Sequence, residues 1–215
     1  MPKREFESRN LLLFMLITFA WSWGFWLPEI LWDVRLFVAP FGPMVGAVVL
    51  TYMNRGSGGV KALFKRGIDF KFRKAWLLPI LFLLPAISAI SLYLAMRLDG
   101  YVPDLAAISQ PIIIPIAFIY IFILGGPLAE EFGWRGYALD RFQARFSALS
   151  SGIFLGVIWG LWHLPLFYMP SQQAVYGNIP IWGFIVGAVL LSILSTWIYN
   201  NTGRSILAVL LFHTT

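Results

Sequence analysis

Apolar stretches recur along the chain with polar breaks between them, at about residues 10–32, 36–53, 75–96, 111–129, 149–169, 181–199 and 205–215. The first six are long enough to cross a bilayer core of ~30 Å at ~1.5 Å per residue of helix. The seventh has eleven residues before the sequence stops, or roughly 16 Å of helix, and falls short. The pattern predicts an all-α, polytopic transmembrane bundle of about seven spans with the last one truncated. Residues 1–215 read as one membrane-embedded domain, and the expectation is that the sequence is a fragment ending inside that last span.

Composition agrees. The chain is 59% hydrophobic and only 12% charged, with 10 Trp and 19 Phe, against about 25% charged residues in a soluble domain. A multi-pass protein of the cell membrane is expected. The net charge of +6 raises a nucleic-acid partner, but the basic residues occupy short loops. Lys3, Arg4 and Arg9 precede the first run. Arg55, Lys61, Lys65, Arg66, Lys71, Arg73 and Lys74 follow the second, Arg135, Arg141 and Arg145 the fourth, and Arg204 the sixth. The intervening loops hold Asp33 with Arg35, then Arg97 with Asp99 and Asp104, then no charge. This alternation obeys the positive-inside rule and predicts a cytoplasmic N-terminus, with membrane lipids and no nucleic acid as partners. The first run is too long for a signal-peptide core and reads as a retained span. With no cysteine, disulfides, thiolate metal sites and a cysteine nucleophile are excluded.

Finer features follow. Gly56-Ser57-Gly58-Gly59 reads as a flexible turn, and residues 60–66 as a short amphipathic helix on the cytoplasmic surface. Gly152, Gly156 and Gly160, and again Gly183 and Gly187, form ladders that let helices approach closely, packing within one subunit being preferred to a dimer interface. Pro79, Pro85, Pro115, Pro127 and Pro165 are expected to bend helices. No internal repeat supports an inverted-repeat transporter.

The chemistry concentrates in Glu130-Glu131-Phe132-Gly133-Trp134-Arg135 and in the two histidines, His163 and His213. Ionisable groups in apolar segments cost on the order of 2.5–3.5 kcal/mol each on insertion, so they are usually kept for function. Measured along helices, Glu130 lies ~7–16 Å, His163 ~18–24 Å and His213 ~13 Å inside the cytoplasmic ends of their segments. These depths overlap within the effect of tilt, so the three are expected to meet in one cavity. Glu131 and Arg135 have the i,i+4 order that favours an ion pair, which leaves Glu130 to face the cavity. His163 shares its stripe with Gly156, Trp159 and Gly160, which would admit a neighbouring helix, such as the fourth, beside the imidazole. A carboxylate with a histidine can take a proton from water and return it to a leaving amine. A second histidine can stabilise an oxyanion. Alternatively, Glu130, His163 and His213 could ligate a divalent metal such as zinc that activates the water. The His-Glu-x-x-His and Gly-x-Ser-x-Gly patterns are absent.

Glu130-Glu131-x-x-x-Arg135, then Trp159-x-x-x-His163, then His213 in a later span resemble the CPBP family. These are CAAX-processing and bacteriocin-associated intramembrane proteases related to type II CAAX prenyl endopeptidases. The resemblance covers about residues 111–215, the motif-bearing core. The stretches Glu-Glu-Phe-Gly-Trp-Arg-Gly-Tyr and Gly-Leu-Trp-His-Leu-Pro are especially close. It implies an intramembrane endopeptidase acting on membrane-associated or lipidated peptides. Glu130 and His163 would activate water, His213 would bind the oxyanion, and Glu131, Arg135 and Trp159 would support them. Metal-dependent and metal-free glutamate mechanisms are equally compatible with it. The family's third motif is His-x-x-x-Asn, whose Asn would fall two residues beyond Thr215. Two other readings compete: a non-catalytic membrane scaffold or bacteriocin-immunity protein that keeps the fold, and a proton-coupled carrier using Glu130 and His163 as a relay.

Overall fold

The computed structural model describes residues 3–103 and 109–215. Among them every regular element is helical: α1 (Lys3–Trp32), α2 (Gly42–Arg66), α3 (Leu77–Leu98), α4 (Ile113–Leu124), α5 (Pro127–Gly133), a π-helical segment (Trp134–Leu139), α6 (Asp140–Gln143), α7 (Ala148–Trp162), α8 (Gln173–Tyr176), α9 (Ile181–Asn201) and α10 (Ile206–Thr214), with short 3-10 turns between some of them. Asp104, assigned above to a loop, and the side chains of Lys3 and Arg4 lie outside the described residues.

Three helices are long and apolar enough to cross a membrane alone, within Ser8–Trp32, Lys74–Leu98 and Ile181–Asn201. A fourth span results if Ile113–Leu124 and Pro127–Gln143, bent by 44°, count as one. The remaining runs differ from expectation for local reasons. The second lies in α2, which is two helices joined at Gly56, where the backbone leaves the helical region (φ 62, ψ −166) at the start of the expected turn. A residue with that positive φ is tolerated as glycine. Residues 60–66 belong to the helix that follows this break, with Leu63 buried and Lys61, Ala62, Phe64 and Lys65 exposed. The fifth run stops being α-helical at Trp162 and tightens into the 3-10 turn Leu164–Phe167. Pro165 cannot donate to the ladder, and it disfavours helix in the residue before it. The fourth run breaks at Gly125–Gly126, where Gly126 has φ 116. Pro127 then occupies the first turn of α5, where a missing N–H costs nothing.

α7 and α9 form the closest helix pair, and the first glycine ladder is their seam. A Cβ on Gly152 would come 3.1 Å from Ile193 Cα, one on Gly156 2.5 Å from Val189 Cα, and one on Gly160 3.3 Å from Ile185 Cα. The helix packed on the glycines is thus α9, while the fourth segment reaches the same stripe through Glu130, which accepts the Trp159 N–H. Phe184 of α9 packs against the imidazole with ring centroids 5.3 Å apart. The second ladder does no such packing: Gly187 faces open space and Gly183 meets only Pro180. Gly156→Ala is expected to push α7 and α9 apart and cost roughly 1–3 kcal/mol, read as a lowered unfolding temperature in detergent. Gly187→Ala should leave that temperature unchanged.

α10 sits at the centre. Ile206–Leu210 and Phe212 are buried, and α3, α4, α5 and α9 surround the helix, as an all-round apolar helix requires. The chain turns into it through Gly203 (φ 65) and Arg204 (φ 64). The Ser205 Oγ then caps it by accepting the Ala208 N–H at 3.2 Å. This start fixes the height of His213, one residue from the end of the helix at Thr214.

Candidate active site

The break between α4 and α5 decides where Glu130 lies. It starts a new helix, so Glu130 falls in that helix's first turn, its N–H bonded to Gly126 O at 2.9 Å. Carboxylates are favoured at that end of a helix. Gly126 also makes room for the side chain, because a Cβ there would collide with Glu130 Oε1. Glu130 is 5% exposed, and its other oxygen, Oε2, accepts the indole N–H of Trp159 at 2.6 Å. The carboxylate is therefore held by Trp159 rather than free, which corrects the expectation that it simply faces a cavity. Its neighbours Gly126 and Ala129 do line one, a cavity of about 570 Å³ that also takes in Trp26, Glu29, Met169 and Ser171.

Trp159 is the hub. Its indole meets the His163 ring edge-on at 5.4 Å and the His213 ring at 5.2 Å between centroids. The Arg135 guanidinium carbon lies 5.2 Å from the indole centroid, a cation–π distance. The His163 ring is also close enough to Glu130 and to His213 to feel both electrostatically. The six residues singled out in the sequence thus cluster around one indole.

The cluster divides into two parts. Glu131 is fully buried, and its Oε1 receives Arg135 Nη1 at 2.7 Å and His213 Nδ1 at 2.8 Å. The ion pair foreseen from the i,i+4 spacing is present, and His213 joins it. His163 Nδ1 lies 2.8 Å from the Trp159 carbonyl. A carbonyl and a carboxylate can only accept, so in each neutral histidine the proton sits on Nδ1 and Nε2 carries the lone pair. Both imidazoles are oriented for work at Nε2.

Among the described residues no three His, Cys, Asp or Glu side chains are grouped to hold an ion. Glu130 is engaged through Oε2 by Trp159, and His163 and His213 through Nδ1, so Oε1 of the carboxylate and Nε2 of each ring are the atoms left to act.

Two groups near the site went unnoticed in the sequence. Glu29 of α1 is 4% exposed. Its Oε1 accepts the Ser171 N–H at 3.2 Å and lies 3.8 Å from Arg35 Nε, on the wall of the same cavity. An acid inside the first apolar run was the available signal. Tyr176, the last residue of α8, has its hydroxyl pushed up to about 12 by burial and by the charge of Glu130. No motif marks it. Trp26, Trp134 and Trp162 wall the histidine, with Trp26 and Trp134 at 4.7 and 5.8 Å from the Trp162 ring and Trp162 at 4.7 Å from the His163 ring.

Comparison with known proteins gives two findings. Residues 112–215 match the family described as type II CAAX prenyl endopeptidase Rce1-like. The chain is 28% identical over 180 residues to CAAX prenyl protease 2 of Methanococcus maripaludis. That alignment takes in 80% of this chain and 65% of the relative, so the chain spans less than two thirds of the relative's length. The matched segment begins just before α4 and contains every residue of the cluster around Trp159. The C-terminal half of the chain, which carries the whole cluster, is thus similar to the CAAX prenyl endopeptidases.

Proposed function

We propose that the protein is an intramembrane endopeptidase that hydrolyses peptide bonds of membrane-associated or lipidated peptides with water activated by Glu130 and His163. The observation that carries this reading is the Trp159 indole, bonded to Glu130 and flanked by both imidazoles. In the proposed reaction the Glu130 carboxylate removes a proton from water as the oxygen attacks the scissile carbonyl. The electron pair of the C=O bond moves onto oxygen, and His213, as the imidazolium paired with Glu131, donates its Nε2–H to that oxyanion. The C–N bond then breaks and Glu130 returns the proton to the leaving amine. His163 Nε2, the free side of a ring fixed through Nδ1, orients the water. Glu131 and Arg135 hold His213 in place. The cavity beside Gly126 and Ala129 receives the peptide.

The relative's printed name, a CAAX prenyl protease, supports a peptide processed near its C-terminus as the substrate. The basic ends of α2 and α6 and Arg204 support a cytoplasmic N-terminus. Residues 1–215 act as one domain of about seven membrane-inserted segments in the cell membrane, with the motifs in residues 111–215.

The test is the purified full chain in detergent with a panel of quenched, lipidated and unlipidated peptides. Cleavage of at least one member is expected. Trp159→Phe keeps an aromatic ring and removes the N–H held by Glu130. It should lower kcat by about 10–100-fold with KM little changed. If no peptide is cut, a non-catalytic scaffold replaces the enzyme. If Trp159→Phe turns over like the wild type, the indole does not position the base.

A further inference from the structure

A second cavity, of about 450 Å³, opens where α2, the π segment and α6 meet the α9–α10 turn. Arg55, Arg66, Arg141 and Arg204 line it, against a single acid, Asp140, so its wall carries a net charge of +3. That acid is already heavily engaged. Its Oδ1 accepts the Tyr199 hydroxyl at 2.8 Å and lies 3.6 Å from Arg204 Nη1, and its Oδ2 lies 3.4 Å from Arg66 Nη1. Arg66 is held from several further sides. Its Nη1 donates to Gly136 O at 3.1 Å, its Nε to Arg204 O at 3.2 Å, and its Nη2 to the Tyr199 hydroxyl. Arg55 makes no hydrogen bond or ion pair among the described residues.

Like charges are not usually gathered around a cavity without a counter-charge. In a straight helix Arg55 and Arg66 would stand ~16 Å apart along the axis. The kink at Gly56 redirects the chain between them, and both side chains now line one cavity, close enough for each to feel the other's charge. Fixed guanidinium forks with one fork left open suit the oxygens of a phosphoryl group.

We propose that this cavity binds a phosphate-bearing anion, supplied either as free phosphate or as the headgroup of an anionic phospholipid. None of the residues lining the site belongs to the cluster around Trp159. The site meets the motif segment through the Arg66 bond to Gly136 O, next to Arg135, and through the Arg141 bond to Tyr137 O. An occupant would brace that segment.

Thermal unfolding of the full chain tests this in two settings. One is detergent micelles with inorganic phosphate titrated against chloride at equal ionic strength. The other is nanodiscs of phosphatidylcholine with or without phosphatidylglycerol. A rise in unfolding temperature with phosphate in micelles supports the free ion as the source, and a rise only with phosphatidylglycerol supports the headgroup. Arg55→Gln, at an exposed position, should weaken the effective ligand by about tenfold. Lys71→Gln/Lys74→Gln, outside the cavity, should not weaken it. The proposal is overturned if neither ligand raises the transition, if Arg55→Gln responds like the wild type, or if the lysine double variant weakens the response as much.

Discussion

Glu130→Gln is expected to lower kcat on peptide substrates by about 10²–10⁴-fold, the range that a positioned general base supplies, while leaving the unfolding temperature nearly unchanged. The amide has the same shape as the carboxylate and still offers an oxygen to the Trp159 N–H, so the 2.6 Å contact survives in form. What it loses is the capacity to take a proton at neutral pH. KM should move little, since Glu130 is 5% exposed and stands behind Gly126 at the cavity wall, with little surface for a peptide to touch. Initial rates across the quenched-peptide panel, set beside a thermal melt, make the measurement. Turnover within a factor of about three of the wild type would remove Glu130 from the reaction. A large fall in unfolding temperature would mean that the negative charge is part of the fold, and the loss of rate could then not be assigned to chemistry.

The site was legible where its logic is local. Glu131 and Arg135 pair because four residues of helix put them on one face, and spacing alone contains that fact. Trp159 and His163 likewise share a helical face, and their contact follows. The contact between His213 and Glu131 spans 82 positions and depends on how α10 docks against α5, which no periodicity in either helix encodes. The same limit holds at the glycine stripe, where α9 packs on the glycines and Glu130 of α5 reaches Trp159. A ladder of Gly announces a close neighbour without naming it, and α9 is the neighbour.

The break at Gly125–Gly126 was half visible. Pro127 signals a helix start as readily as a bend, and the expectation of a continuous helix chose the bend. That choice shifts Glu130 from mid-helix to a first turn. Glu29 belongs to no motif, although an acid in an apolar run carries the same physical warning wherever it falls.

Arg135→Met should destabilise the protein by about 3–5 kcal/mol, the cost of breaking a buried ion pair from one side. Arg135 and Glu131 are both fully buried, and Glu131 Oε2 already lacks a hydrogen-bond partner among the described residues. Removing the guanidinium leaves the carboxylate with His213 Nδ1 alone. The packing over Trp159 changes less, because the Met side chain still covers the indole face. For a chain of this size, where ~1 kcal/mol moves the transition by about 2–4 °C, the fall should be on the order of 10 °C. The decisive comparison is Glu131→Gln/Arg135→Met, which removes both charges while keeping an amide oxygen for His213. Most of the lost stability should return in the double variant, since an apolar substitute for a whole buried pair is often neutral. If the double variant is as unstable as the single, the arginine contributes through its shape against Trp159, and the charge of Glu131 is not what Arg135 offsets. If stability returns while peptide turnover stays low, the pair acts by holding His213 at its catalytic height, a role that stability measurements alone would not reveal.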